Sequence, residues 1–286
     1  MDTPEKPKVL MTKEDFDNFL FKRPYFAFLD ILGFSALVRK NKHETLVQLY
    51  KDLFAAQVDH VGEKLRALAE KRTERQGDAY TDSGLRMVNI SDSILIWTTH
   101  GQPSALFEIT TAVSTLLGVS LIQGLPLRGT ITRQHFSVLD DHAALSVVGM
   151  GLVHAYELEK KQRWSGCIVD PEIINYFRSI EKVLYDREAP SPIERHDMVY
   201  EYDIPIVGKD GQPATEKGYA VDWSNLNITD QMIRESFDAH LKKDDRPGST
   251  TPDKIQNTIN FHHFCLKKAE EKRAAHEALG QALKKK

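Results

Sequence analysis

The chain has 286 residues, a formal net charge of −3 and a hydrophobic fraction of 41%. That allows a sizeable core in one large domain, or in one domain plus an elaboration, and shows no charge excess of the kind nucleic-acid binding calls for. Two cysteines, Cys167 and Cys265, lie far apart without CxxC spacing, which suggests neither a zinc site nor a disulfide framework and fits a reducing, cytoplasmic setting. No run approaches ~18 apolar residues, so no membrane span is expected. The opening "MDTPEKPKVLMTKEDF" lacks the apolar core of a signal peptide.

In chain order, residues 12–22 read as a short amphipathic helix with Thr12 as its cap and Asp15 in its first turn. Tyr25–Leu29 reads as a strand, and it ends on a carboxylate, Asp30. A helical pattern starts at Phe34 and breaks near "KNKHE". "AEKRTERQGDAYTDSG" is polar, a loop or helix end. "LRMVNISDSILIWTT" reads as a β-hairpin turning at Ser91 and Asp92. "PSALFEITTAVSTLLGVSLIQG" is a long apolar helix, and "LPLRGTITRQHFSVL" is a strand with Gly129 inside it. "ALSVVGMGLVHAYELEKKQRW" starts with small residues and becomes a helix. "GCIVD" is a strand, and "PEIINYFRSI" a helix with Pro171 in its first turn. "MVYEYDIPIV" and "GYAVDWS" alternate like edge strands. A last helix over roughly 253–283 follows the loop "DDRPGSTTP" and ends in a charged, solvated tail. Such interleaving predicts an α/β sandwich with a mixed or antiparallel sheet, one domain with a C-terminal elaboration.

Two carboxylates stand where burial would be costly. Asp30 ends the first strand, and Asp92 lies in the hairpin turn. A buried carboxylate needs a cation, hydrogen bonds or a raised pKa. If the first strand lies beside the hairpin, the two side chains converge and suit Mg²⁺, which takes its other oxygens from water and substrate phosphates. The plain alternative makes Asp92 an exposed turn residue and Asp30 a helix cap. Between strand and helix, "DILGFS" offers Gly33 and helix-start N–H groups that can meet phosphate. There is no GxxxxGK[ST] and no GxGxxG.

"FAFLDILGFSALV", "NISDSILIW", "LRGTITR" and "GMGLVHAYELEK", in that order, resemble the catalytic domain of class III nucleotidyl cyclases. The resemblance is nearest to the bacterial pyrimidine cyclases of Pycsar antiphage defence, in "LDxLGFS", "SDS", "LRG" and the "AYxLE" helix. It implies a ferredoxin-like α/β cyclase domain over 24–205, after an N-terminal helical lead (1–23) and before a C-terminal elaboration (206–286). It implies a cytoplasmic homodimer with active sites at the interface and no nucleic-acid or membrane partner. Asp30, Asp92 and the Ile31 carbonyl would bind two Mn²⁺ or Mg²⁺ ions. Gly33, Phe34 and Ser35 would present N–H groups to the β- and γ-phosphates. Tyr156, beside Glu157 on the helix, is a candidate nucleotide contact, with core packing as the alternative. The ribose 3′-OH would attack the α-phosphorus, giving a 3′,5′-cyclic nucleotide, a second messenger in antiviral defence, and pyrophosphate.

The purine cyclases carry Asn and Arg in "VNxAxRLE", where Val153 and Glu157 stand here. The transition state still needs a cation, and Arg128, Arg133, Lys160, Lys161 and Arg163 are the candidates, with Arg128 first. The departure argues against a purine nucleotide and does not separate UTP from CTP; the resemblance to the pyrimidine cyclases favours UTP, with CTP as the alternative. A degenerate cyclase-fold module that binds nucleotide without turnover is the other class of reading. Other residues read as packing: Trp97, Trp164 and a satisfied His154, while His262 and His263 are adjacent and unsuited to a shared metal. Ser35 lacks the surroundings of a nucleophile.

Overall fold

The computed structural model describes residues 23–51, 61, 84–140, 145–241 and 251–284. The helix expected over 12–22 lies outside them, as do nearly all of the polar stretch before Leu85 and most of the loop before the last helix. The strands are β1 (Phe26–Ile31), β2 (Arg86–Ile90), β3 (Ser93–Trp97), β4 (Leu127–Thr132), β5 (Ser137–Asp140), β6 (Leu145–Val148), β7 (Gly166–Val169), β8 (Val199–Val207) and β9 (Pro213–Val221). The helices are α1 (Phe34–Lys40), α2 (residues 43–51), α3 (Pro103–Ile122), α4 (Met150–Lys161), α5 (Pro171–Tyr185), α6 (Pro192–Arg195), α7 (Asp230–Leu241) and α8 (Thr251–Lys284).

Among the described residues one sheet runs in the order β2-β3-β1-β4-β7-β9-β8. β1 lies antiparallel between β3 and β4. The helices α1 and α2 connect β1 to the β2–β3 hairpin, and α3 connects β3 to β4. That is the split βαβ arrangement of a ferredoxin-like half, in an α/β sandwich as expected. β7 adds parallel to β4, and β9 and β8 then add antiparallel.

The period of two along β1 sorts its side chains between two cores. Ala27, Leu29 and Ile31 join the large core, with α3 across it. Phe26 and Phe28 face a smaller cluster with Leu95 and Ala155, the latter from α4. Asp30 follows them onto that second face. α3 is apolar all round because it is enclosed on its whole girth, as a central core helix is. Among the described residues it alone is long and apolar enough to cross a membrane, and 83% of that apolar window is buried in the protein.

Three expectations change. "LPLRGTITRQHFSVL" is two strands, β4 and β5, parted at residues 133–136, and β5 pairs with β6 in a separate two-stranded sheet. β9 is not an edge strand: Ala220 and Tyr219 pair with β7 while the whole strand pairs with β8, which forms the edge. α7 was not anticipated. The division expected after residue 205 falls inside β8. Beyond it, Trp223, Ile228, Phe237, Ile259 and Phe261 share the large core with β1 and β4.

Candidate active site

The register of the sheet assembles the site. Asp30 is opposite Arg128 on β4 and opposite Ser93 on β3. Gly129 makes the β1–β4 approach possible. A Cβ there would collide with the Leu29 side chain and lie 2.5 Å from the Phe28 carbonyl oxygen. The Ile31 N–H donates to the Asp92 carbonyl at 2.9 Å, which fastens the hairpin turn to the end of β1. Asp30 and Asp92 therefore sit at the same end of the sheet.

Burial pushes the Asp30 carboxyl up to about 7, and the charges of Glu159 and Asp92 add to the rise against Arg128 and Lys254. Among the described residues that carboxylate accepts no hydrogen bond. Glu159 reaches the site from α4, where Gly151, Ala155 and Glu159 share the buried face at helical spacing. Its side chain is 2% exposed, and burial raises its pKa even though Arg128 opposes this. Arg128 Nε donates to Glu159 Oε1, and its Nη1 donates to the Gln162 carbonyl at 2.8 Å.

Gly33 supplies the turn into α1 with φ 79°, a left-handed conformation that costs glycine no Cβ clash. The N–H groups of Phe34 and Ser35 find no backbone acceptor among the described residues, as the first turn of a helix requires. The Phe34 ring itself packs on the core, edge to face with Tyr50 at 6.1 Å. Beside this turn runs a cleft of about 530 Å³ whose lining includes Phe34, Val38, Leu46, Tyr50 and Ser91. The Tyr50 hydroxyl donates to the Ser91 carbonyl at 2.8 Å, and burial pushes its pKa up to about 12.

Tyr156 is 48% exposed on α4, with its ring edge-on to Phe28 at 6.1 Å, on the Asp30 face of the sheet. Of the five cations weighed, Arg128 alone is built into the site by register. Arg133 stands past the far end of β4, with its guanidinium 3.8 Å from the centre of the Tyr176 ring, too distant to serve Asp30. Lys160 and Lys161 are exposed on the last turn of α4. Arg163 is buried and bound to Asp253 at 2.9 Å. Sequence reasoning missed two charges: Glu159, embedded in a helix match, and Lys254 on α8, whose charge reaches Asp30 and Glu159.

The packing readings hold elsewhere. Trp164 is fully buried, stacked on Tyr202 at 5.7 Å, with Nε1 donating to Gln162 Oε1. Trp97 packs against the smaller cluster. His154 pairs with Asp170 at 2.9 Å. His262 stacks on Trp223, while His263 pairs with Asp230. Both cysteines are buried and free.

The donor set at Asp30 and Asp92 is oxygen only, which suits Mg²⁺ or Mn²⁺ and not zinc. A half-buried carboxylate pushed up by burial and by two further carboxylates is a position that a divalent cation would relieve. Among the described residues no three His, Cys, Asp or Glu side chains gather into a metal cage. An ion held here would complete its shell with water, carbonyl and phosphate oxygens.

No protein-family model matches the chain, and no curated protein matches it. Solved structures similar to it include the adenylyl cyclase CyaB from P. aeruginosa, at 14% identity and TM-score 0.43, covering 73% of this chain and 98% of that one. A bacterial light-regulated adenylyl cyclase gives 13% identity and TM-score 0.39, covering 76% and 98%. The guanylyl cyclase domain of the RhoGC fusion protein from Blastocladiella emersonii gives 15% identity and TM-score 0.35, covering 70% and 97%.

Proposed function

We propose that the chain is a nucleotidyl cyclase that converts a pyrimidine nucleoside triphosphate, UTP before CTP, to its 3′,5′-cyclic monophosphate and pyrophosphate. The observation that carries this is Asp30. It is a strand-end carboxylate without a hydrogen-bond donor, pushed up by burial and by the charges of Glu159 and Asp92, one turn before helix-start N–H groups that face no backbone acceptor. In this reading Asp30, Asp92 and the Ile31 carbonyl hold two Mn²⁺ or Mg²⁺ ions. Bound there, the ions would ease deprotonation of the ribose 3′-OH and neutralise the triphosphate. Gly33, Phe34 and Ser35 donate N–H bonds to the β- and γ-phosphates. The 3′ oxygen forms a bond to the α-phosphorus, the bond to the pyrophosphate oxygen breaks, and the hydroxyl proton leaves to solvent. Arg128 faces this centre from β4, and Tyr156 offers a ring to the nucleotide.

Val153 and Glu157, in place of the purine-type Asn and Arg, support the pyrimidine preference, and with it a second-messenger role in antiviral defence in the cytoplasm. A homodimer is supported by an exposed apolar group on the β5–β6 hairpin and α4. Leu139, Val148, Met150, Val153 and Tyr156 are each between 47% and 65% exposed. One observation favours a second reading, a module that binds nucleotide without turnover: Arg128 is already held by Glu159 and the Gln162 carbonyl. Purified full-length protein incubated with ATP, GTP, CTP or UTP and Mn²⁺ decides between them. Cyclic UMP as the main product is expected. No cyclic product from any of the four at high enzyme would leave only the binding module.

A further inference from the structure

We propose that Lys254, on the C-terminal helix α8, is the free cation of this site and binds the substrate's polyphosphate, and the departing pyrophosphate, from the same protomer as Asp30. The inference rests on the cyclase reading above and adds a phosphate-binding residue to it.

Three contacts clamp the first turns of α8 onto the segment between α4 and β7. Arg163 Nη2 donates to Asp253 Oδ2 at 2.9 Å, Asn257 Nδ2 donates to the Arg163 carbonyl at 2.8 Å, and the Ser165 N–H donates to Thr258 Oγ1 at 2.8 Å. This segment follows Gln162, whose carbonyl holds Arg128. Lys254 is thereby held half-buried, with Arg128 on β4, Arg163, Glu159 on α4 and Asp30 on β1 within electrostatic reach. Of these three cations two are engaged: Arg128 by Glu159, and Arg163 by Asp253. Among the described residues Lys254 forms no ion pair.

Burial and the two guanidinium groups hold its ammonium below the usual lysine range, against the opposing charges of Glu159 and Asp30. A half-buried ammonium that forms no ion pair, and whose burial outweighs the carboxylates near it, gains when a further anion enters. The anion that the neighbouring Gly33 turn and Asp30 would bring is a phosphate chain. A lysine suits it as a point charge on a flexible stem.

The test compares wild-type full-length protein with Lys254→Met and Lys254→Arg, using inorganic pyrophosphate as the probe. Calorimetric titration with pyrophosphate at saturating Mn²⁺ is paired with titration of Mn²⁺ alone, and a melting curve reads folding separately. Pyrophosphate should bind the Met variant at least ~10-fold more weakly and the Arg variant near the wild-type level. Mn²⁺ alone should bind the Met variant as well or better, because a positive charge near Asp30 has gone. If the Met variant does not fold, Lys254→Gln takes its place. Unchanged pyrophosphate affinity in a folded, charge-free variant overturns the role of Lys254 and leaves the cyclase reading standing. A wild-type protein that binds neither Mn²⁺ nor pyrophosphate overturns both.

Discussion

The two ends of the β1–β4 face each hold a carboxylate, and their treatment differs. At one end Asp170 caps α5. It accepts from the Glu172 N–H at 3.0 Å and from the Thr132 hydroxyl at 3.2 Å, and it pairs with His154 at 2.9 Å. At the other end Asp30 accepts no hydrogen bond among the described residues, and the charges that act on it are Glu159 and Asp92 against Arg128 and Lys254. The same fold thus satisfies one carboxylate with its own donors and leaves the other without one. Burial alone does not tell the two apart, since Asp170 is the more buried; the missing donors do.

The widest separation between the ends should come from removing each charge. Asp30→Asn should cut cyclic-product formation by at least ~10³-fold while the metal-free protein melts no lower than the wild type, since an unsupported negative charge has been removed. Asp170→Asn should do the reverse in stability, costing about 2–4 kcal/mol through lost charge-assisted bonds and a lost cap. A calorimetric melt of both variants that showed equal losses would erase the distinction.

Next in size is Gly129→Ala, which forces β1 and β4 apart where Asp30 faces Arg128. A loss of about 1–3 kcal/mol in urea unfolding is expected from overpacking against Leu29 and the Phe28 carbonyl. A neutral result would mean that the strand pair yields easily and that the register does not hold the site.

A smaller effect is the pH dependence of the metal-free protein. The Asp30 carboxyl titrates at about 7 in the folded chain against an ordinary 3.8. The folded state binds that proton more tightly. Its stabilising contribution is full below the ordinary value and is lost as pH rises through about 7. Melting temperatures taken between about pH 5 and pH 8 should fall more steeply for the wild type than for Asp30→Asn, with Glu159 adding a slope common to both. Parallel curves would show that Asp30 is ordinary in solution.

The smallest stability change is expected on the exposed apolar group. Met150→Asp with Val153→Asp should shift unfolding by no more than about 0.5 kcal/mol, because both side chains face solvent. If these residues join two copies of the chain, the same variant should elute as a monomer in size-exclusion chromatography where the wild type does not.

Much of this was legible in the sequence. The β1 run, the two-residue hairpin turn and the long apolar α3 each carry a local period, and the split βαβ order follows from their sequence. Gly33 and Asp30 could be placed because a strand, a turn and a helix start within ten residues. What was missed depends on distant partners. β9 looks like an edge because its first half, Pro213–Lys217, is exposed past the short β7. The pairing of Arg128 with Glu159 links residues 31 apart, so "LRG" gives no hint that the arginine is occupied. Lys254 is one lysine among many at the start of a polar helix. Only the clamp on residues 163–165 tells it from the rest.

Gln162 carries a kinetic consequence. Its amide nitrogen donates to the Gly129 carbonyl at 2.8 Å and to the Leu158 carbonyl at 3.2 Å, while its amide oxygen accepts from Trp164. Every polar atom of one buried side chain is spoken for by a strand, a helix and the core. Helix α4 therefore cannot fray from β4 without leaving several groups dry and unpaired at once. In hydrogen–deuterium exchange, the amides of Gln162 and Arg163 should open only with the slowest-exchanging set of the whole molecule, and the floor of the site should breathe no faster than the core beneath it.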